Sequence, residues 1–126
     1  MSFICDVDDA VNAVSIYRLD VSSKLELLDK IRDFVDSCDL NDTYLSASTS
    51  DGKNVIVGYP DNFSSFEASV LEHEMDHLIA IHGTFMDVDV CFSFQRHNLT
   101  KQYIMAVIID RDYAYIKDKL LTNIYA

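Results

Sequence analysis

Two stretches of the chain combine a helix-start signal with hydrophobic residues at helical spacing. Ser23–Glu26 has the spacing of a capping box, and the apolar stripe that follows it predicts a helix to about Cys38. Ser64–Glu67 is a second capping box. The spacing after it predicts a helix that runs to about His82, with Gly83 as its C-terminal stop.

Other stretches show the apolar and polar alternation of strands. Thr43–Ser48 and Asn54–Tyr59 are strand-like, and Ser50–Lys53 between them contains Asp-Gly, a strong hairpin signal. Thr84–Phe94 alternates throughout, and Gln102–Ile109 predicts a further strand. These segments predict mostly antiparallel pairing.

The two ends of the chain carry weaker patterns. Residues 7–19 fit a weak helix, and Asp112 to Tyr125 predicts a closing helix. The resulting order is α-β-β-α-β-β-α. It predicts an α+β fold in one small domain over residues 1–126, with antiparallel hairpins packed against about three helices.

The charge balance narrows the possible partners. With 21 acidic and 10 basic residues in 126, the net charge is -11. Such a surface repels phosphate, which argues against direct binding of nucleic acid. The charge is compatible with a basic partner protein, with bound cations or with a solvated acidic surface.

The cysteines and the N-terminal residues indicate a location in the cell. The three cysteines are odd in number and widely spaced, which predicts no disulfide framework and favours a reducing interior. The first residues lack a basic and then apolar signal sequence, and the longest apolar run, Ile104–Ile109, is too short to span a membrane. We therefore expect a cytoplasmic protein without a membrane segment.

One segment has the residue types of a metal site. His73-Glu74-Met75-Asp76-His77 is an HExxH pattern, and histidines four apart on a helix can reach one ion. Glu74 would then take a proton from metal-bound water, whose pKa zinc lowers to about 7. The alternative is a pair of histidines that are hydrogen-bonded in the core or half exposed at its edge.

The segment His73–Leu78, followed by Phe85-Met86-Asp87, resembles peptide deformylase, whose signature helix reads HExDHL. The resemblance covers about residues 43–87. It implies a zinc or iron(II) ion bound by His73 and His77, Glu74 as general acid/base, and removal of a formyl group from an N-terminal methionine. The family's third ligand is a cysteine, for which Cys38 is the upstream candidate here.

The sequence also departs from that family. Its EGCLS motif shares only the cysteine with the surroundings of Cys38, and its glycine-rich GxGLAAxQ segment, whose glutamine helps to stabilise the oxyanion, has no counterpart. Loss of an oxyanion donor costs a hydrolase about 10²–10³ in rate. The resemblance therefore implies a hydrolase that is diverged or inactive.

Two functional hypotheses follow. The first is a small metal-dependent hydrolase with zinc or iron(II) held by His73, His77 and either Cys38 or Cys91, and with Glu74 moving protons. The second is a non-enzymatic acidic binding protein, such as an inhibitor, immunity protein, antitoxin or viral counter-defence factor. Its acidic surface would cover a basic site on a partner protein, since complementary charge speeds association.

Overall fold

The structure, a computed structural model, describes residues 13–21, 23–38, 40–49, 52–73, 79–97 and 99–125, with the backbone alone for 13–18, 121 and 123–125. The described α-helices are α1 (Lys24–Ser37), α2 (Phe63–Glu72) and α3 (Lys117–Tyr125). The strands are β1 (Ala13–Leu19), β2 (Asn41–Ser48), β3 (Val55–Gly58), β4 (Ile79–Phe85), β5 (Val88–Arg96) and β6 (Tyr103–Ile109). Short 3₁₀ turns over Pro60–Asn62 and Arg111–Ile116 precede α2 and α3.

The described strands form one six-stranded sheet in the order β1-β6-β5-β4-β2-β3, and every pair is antiparallel. The predicted α+β class is therefore confirmed. The weak helix predicted over residues 7–19 is wrong for Ala13–Leu19, which forms β1 along β6; residues 7–12 lie outside the described residues. Pairing with a strand about ninety residues away is a tertiary effect that local spacing does not reveal.

The hairpin of β2 and β3 forms as predicted, with Leu45 opposite Gly58 and Ser48 opposite Val55. The single strand predicted over Thr84–Phe94 is wrong, because the chain turns at Met86 and Asp87 between β4 and β5. Both turn residues have positive φ, 52° and 62°. These angles are those of a two-residue hairpin turn, which usually contains asparagine and glycine. Because Met86 and Asp87 stand there instead, the sequence carries no signal for this turn.

The helix predicted from the Ser23 capping box to about Cys38 is confirmed as α1, Lys24–Ser37. The Ser23 side chain accepts a hydrogen bond from the Glu26 backbone N–H at 3.2 Å, as a capping residue does. The predicted apolar stripe faces the interior, and its buried members are Leu27, Leu28, Ile31 and Phe34. The local sequence was sufficient to predict α1, because the capping residue Ser23 and the apolar stripe that follows it indicate the same helix.

Helix α2 ends ten residues earlier than predicted, at Glu72 instead of about His82. The first residue after it, His73, is extended, with φ -89° and ψ 136°. From Ile79 the chain forms β4, which pairs with β2 on one side and β5 on the other. Ile79 and Ile81 are two residues apart, as inward positions of a strand are, and pairing on both sides buries them.

The helices cover one face of the sheet, which we call the core face. Its large side chains form one cluster with residues of all three helices, and the sheet's main contributors are Leu45, Ile81, Val90, Phe92, Phe94, Met105 and Val107. Phe34 of α1 meets Phe92 and Phe94 edge-on, with ring centroids 4.5 and 6.0 Å apart. None of the described helices has the length and apolar character needed to cross a membrane.

Candidate functional site

His73 lies at the C-terminal end of α2 and caps it. Its ring nitrogen Nδ1 is 2.7 Å from the Ser69 carbonyl oxygen, to which it can donate a hydrogen bond. The Lys24 ammonium donates to the carbonyl of His73 at 2.7 Å and lies 3.5 Å from that of Val70. A cation and an N–H donor at the last carbonyls stabilise a helix end. The structure thus gives His73 a structural role, with one ring nitrogen engaged.

Glu74 and His77 lie outside the described residues. His73 and His77 share one helical face only if a helix runs through His73. Since α2 ends at Glu72 and His73 is extended, the helical spacing does not apply to this pair.

Cys38 lies at the opposite end of the helix pair from His73. Lys24, at the start of α1, contacts His73, whereas Cys38 follows the end of this 14-residue helix. At a rise of 1.5 Å per residue the two ends are about 20 Å apart. Burial raises the pKa of the Cys38 thiol to about 12, which disfavours the thiolate that metals bind. The structure therefore does not bring Cys38 and His73 together.

The other candidate third ligand, Cys91, is disulfide-bonded, although the odd number and wide spacing of the cysteines predicted no disulfide framework. Thiol chemistry therefore applies to Cys38 alone among the described cysteines. The Cys91 sulfur lies 3.8 Å from Nε2 of His82, which belongs to β4 and not to a helix. Within the described ranges, no three His, Cys, Asp or Glu side chains are grouped as ligands for a metal ion.

The second face of the sheet, opposite the core face, carries smaller and more polar side chains. Tyr44 and His82 stack across β2 and β4, with ring centroids 4.9 Å apart and planes 7° from parallel. Burial raises the pKa of the Tyr44 phenol, and the nearby Tyr59 and Asp89 add to this effect. A row of small residues runs beside this pair across four strands: Ser46, Ala80, Ser93 and Ala106. This row could not be predicted from the sequence, because it depends on the register of four strands.

The acidic residues are concentrated on surfaces that face solvent. Every described Asp and Glu is exposed except Glu67, which is half-buried and pairs with Arg32 at 3.4 Å. On α1 four acids fall within an arc of about 80° on a 3.6-residue helix, and they are Glu26, Asp29, Asp33 and Asp36. This acidic stripe could have been found in the sequence by applying helical spacing to charged residues.

Strand β3 forms one edge of the sheet and pairs with β2 alone among the described strands. Val55 and Val57 are each 46% exposed, and Tyr59, which follows the strand, is 53% exposed. The core-facing side of this strand is packed closely instead, since a Cβ at Gly58 would lie 2.8 Å from that of Phe66 on α2. The strand is therefore held by α2 and displays an apolar row.

A groove adjoins the end of β3. One part, of about 430 Å³, lies between the C-terminal half of α1 and the start of α2. A neighbouring part, of about 590 Å³, extends to Tyr59, Leu40 and Thr43. Asp36 and Asp61 line both parts. Arg32 lines the first part, but it pairs with Glu67 and lies 4.8 Å from the Phe63 ring centroid. The groove is thus acidic and continuous with the exposed edge.

Comparison of the chain with protein-family models, with characterised proteins and with solved structures found no match.

Proposed function

We propose that this chain is a non-enzymatic acidic binding protein that covers a basic site on a partner protein. The observation that carries the proposal is the exposed acidic stripe of α1, which leads into the groove lined by Asp36 and Asp61. Inhibitors, immunity proteins, antitoxins and viral counter-defence factors are the classes that work in this way.

The charge of the surface supports such a role. An excess of eleven negative charges attracts a basic protein over distances of about one Debye length, roughly 8–10 Å at physiological salt. Attraction of this kind raises the association rate and selects basic partners over acidic ones. On α1, Lys24 and Arg32 contact groups of α2, whereas the exposed Lys30, four residues after Glu26, adds one opposing charge beside the stripe.

The hydrolase hypothesis has less support from the described residues. Its third-ligand candidates are a buried thiol about 20 Å from His73 and a disulfide-bonded sulfur. Its helical geometry is absent at His73. We therefore rank metal-dependent hydrolysis below partner binding.

A binding experiment with a matched charge control tests the proposal. The immobilised chain is used to isolate a partner, and association is then measured between the two purified proteins. We expect association at least about tenfold slower at about 0.5 M than at about 0.05 M salt, because salt screens the attraction. Removing three stripe charges, as E26Q/D29N/D33N, should slow it more than the equal change D87N/D89N/D118N elsewhere.

Two results would contradict the proposal. One is a partner whose association is indifferent to salt and to both triple variants. The other is about one equivalent of zinc or iron retained through dialysis, lost in His77→Ala, together with an activity abolished by Glu74→Gln. That second result would establish the hydrolase instead. Partner binding, in contrast, should be unchanged by Glu74→Gln.

A further inference from the structure

The backbone of β3 leaves four hydrogen-bonding groups directed away from the sheet. The Thr49 N–H donates to the Asn54 carbonyl at 3.0 Å, which identifies that pair as hydrogen-bonded. In an antiparallel ladder such pairs alternate, so Ile56 and Gly58 also bond to β2. The N–H and C=O groups of Val55 and Val57 consequently point outward, and no group in the described part of the chain pairs with them.

The outward edge ends at Tyr59. Its N–H donates to the Asn62 side chain at 2.6 Å, and its carbonyl accepts from the Asn62 N–H at 3.0 Å. A strand added to β3 can therefore form backbone bonds no further along the chain than Val57, beyond which it enters the groove. The edge accepts a short extended segment of about three or four residues.

Within β3 itself the side chains carry neither charge nor proline, although the strand is only four residues long and the exposed Lys53 lies two residues before it. Natural sheets guard their edges with charges, proline or bulges. β3 instead displays Val55 and Val57 in an exposed row, and its neighbouring proline, Pro60, stands beyond the strand. An added strand would cover this row, so side-chain burial and backbone bonding would act together.

The charge beside the edge favours one kind of segment. Asp61 follows the strand by three residues, and Asp36 lies across the groove from it. A lysine or arginine next to the paired stretch would reach these carboxylates, while its methylene stem would contact Val35 and Pro60, which also line the groove. A second copy of this chain brings the same net charge of -11 and is disfavoured by repulsion.

We propose that the partner binds by adding an extended cationic segment to β3, with a basic side chain in the groove between Asp36 and Asp61. Main-chain hydrogen bonds supply affinity in this mode, and side chains supply specificity. The inference rests on the proposed function and identifies the surface and the kind of segment that it recognises.

A synthetic peptide of alternating arginine and valine is the probe, and binding is followed by fluorescence anisotropy and by amide NMR shifts. The largest shifts are expected at Val55 and Val57. A peptide of the same sequence with N-methyl groups on alternate residues cannot donate to β3, so it should bind at least about tenfold more weakly. A glutamate-for-arginine peptide should show no binding.

Val57→Pro tests the edge from the protein side. Proline removes the outward N–H of this residue while leaving the bonds of Ile56 and Gly58 to β2, and it is tolerated on edge strands in this orientation. We expect peptide affinity to fall at least about tenfold. Val57→Thr, which keeps the N–H and the shape, is the matched control, and thermal unfolding of both variants checks that each is folded.

Asp36→Asn/Asp61→Asn tests the groove. Peptide affinity should fall about fivefold or more at low salt, whereas the charge-matched pair D112N/D118N should change it less than about twofold. Equal effects of the two pairs would show that only total charge matters and would overturn the groove assignment.

The possible outcomes distinguish a failure of the β3 inference from a failure of the proposed function. If the partner binds in a salt-dependent manner but Val55 and Val57 do not shift and Val57→Pro has no effect, the β3 inference fails and the proposed function stands. If no basic partner binds at all, the proposed function fails. If the Val55 and Val57 amides shift on dilution of the chain without peptide, a second copy occupies the edge, which overturns the proposed occupant.

Discussion

The core face and the second face are formed by the same strands but have different energetic roles. On β5, Phe92 and Phe94 point towards the helices and are 0% and 2% exposed, whereas Ser93 between them points to the second face and is 3% exposed. Burial is nearly equal, yet a phenylalanine removes far more apolar surface from water than a serine. At about 25 cal/mol per Å², the core face must supply most of the stability.

This difference shows where residues can serve a function with little loss of folding stability. Because the core face and its helices hold the sheet together, the edge strand can carry residues selected for other purposes. The exposed row of β3 is an example, since Gly58 and Phe66 anchor the strand from the core side. Three comparisons between matched positions test this division.

Phe92→Ala and Ser93→Ala should show the largest contrast. Truncating Phe92 leaves a cavity among Phe34 and its neighbours, and we expect a loss of about 3–5 kcal/mol in the free energy of unfolding. Ser93→Ala removes one hydroxyl and should cost less than about 1 kcal/mol. Urea denaturation of both variants measures the two losses, and similar values would refute the division between the faces.

Gly58→Ala and Val57→Ala test the division on neighbouring residues of β3. The added Cβ at Gly58 meets Phe66 at 2.8 Å, so α2 must shift, and such overpacking costs about 1–3 kcal/mol. Val57 is half exposed, so its truncation should cost less than about 1 kcal/mol. Chemical denaturation gives both values, and the reverse order would show that β3 is not held from its core side.

Cys38 and Tyr44 should give the smallest effects, seen in the dependence of stability on pH. Burial raises the pKa of Cys38 from 9.0 to about 12, so its contribution is complete below pH 9 and is lost as pH rises towards 12. Tyr44 follows the same direction from its ordinary value of 10.0. Because Cys38 is only partly buried, the slope should stay below the limit of about 1.4 kcal/mol per pH unit.

The measurement for this prediction is the free energy of unfolding between pH 8 and about 11, compared among the wild type, Cys38→Ala and Tyr44→Phe. The wild type minus Cys38→Ala difference should decline from pH 9, and the difference for Tyr44→Phe only above pH 10. A Cys38 difference that grows with pH would contradict the assigned burial of this thiol.

Helix α1 and the β2–β3 hairpin could be predicted from short-range signals. Ser23 with its apolar stripe predicted α1, and the Asp-Gly turn predicted the β2–β3 hairpin, because each signal acts within a few residues. The end of α2 could not be predicted in this way. Lys24, which stabilises that end, is about fifty residues away in sequence, and β4 depends on partners on both sides.

The candidate metal site stays a prediction, because Glu74 and His77 lie outside the described residues. The residue types of the HExxH segment have a known chemistry, but the structure makes His73 a helix cap and places Cys38 at the far end of α1. The edge and groove beside β3 lack any motif. They arise from the strand order, the ladder register and the packing of α2, none of which is encoded in neighbouring residues.

By itself the sequence determined the acidic excess, the amphipathic α1, the antiparallel hairpins and hence the α+β class, because composition and short-range periodicity are local properties. Only the tertiary structure decided that residues 79–85 are a strand, that β1 completes the sheet and that the outward edge of β3 is exposed beside Asp61. Those features depend on long-range pairing, in which burial against distant partners outweighs local preference.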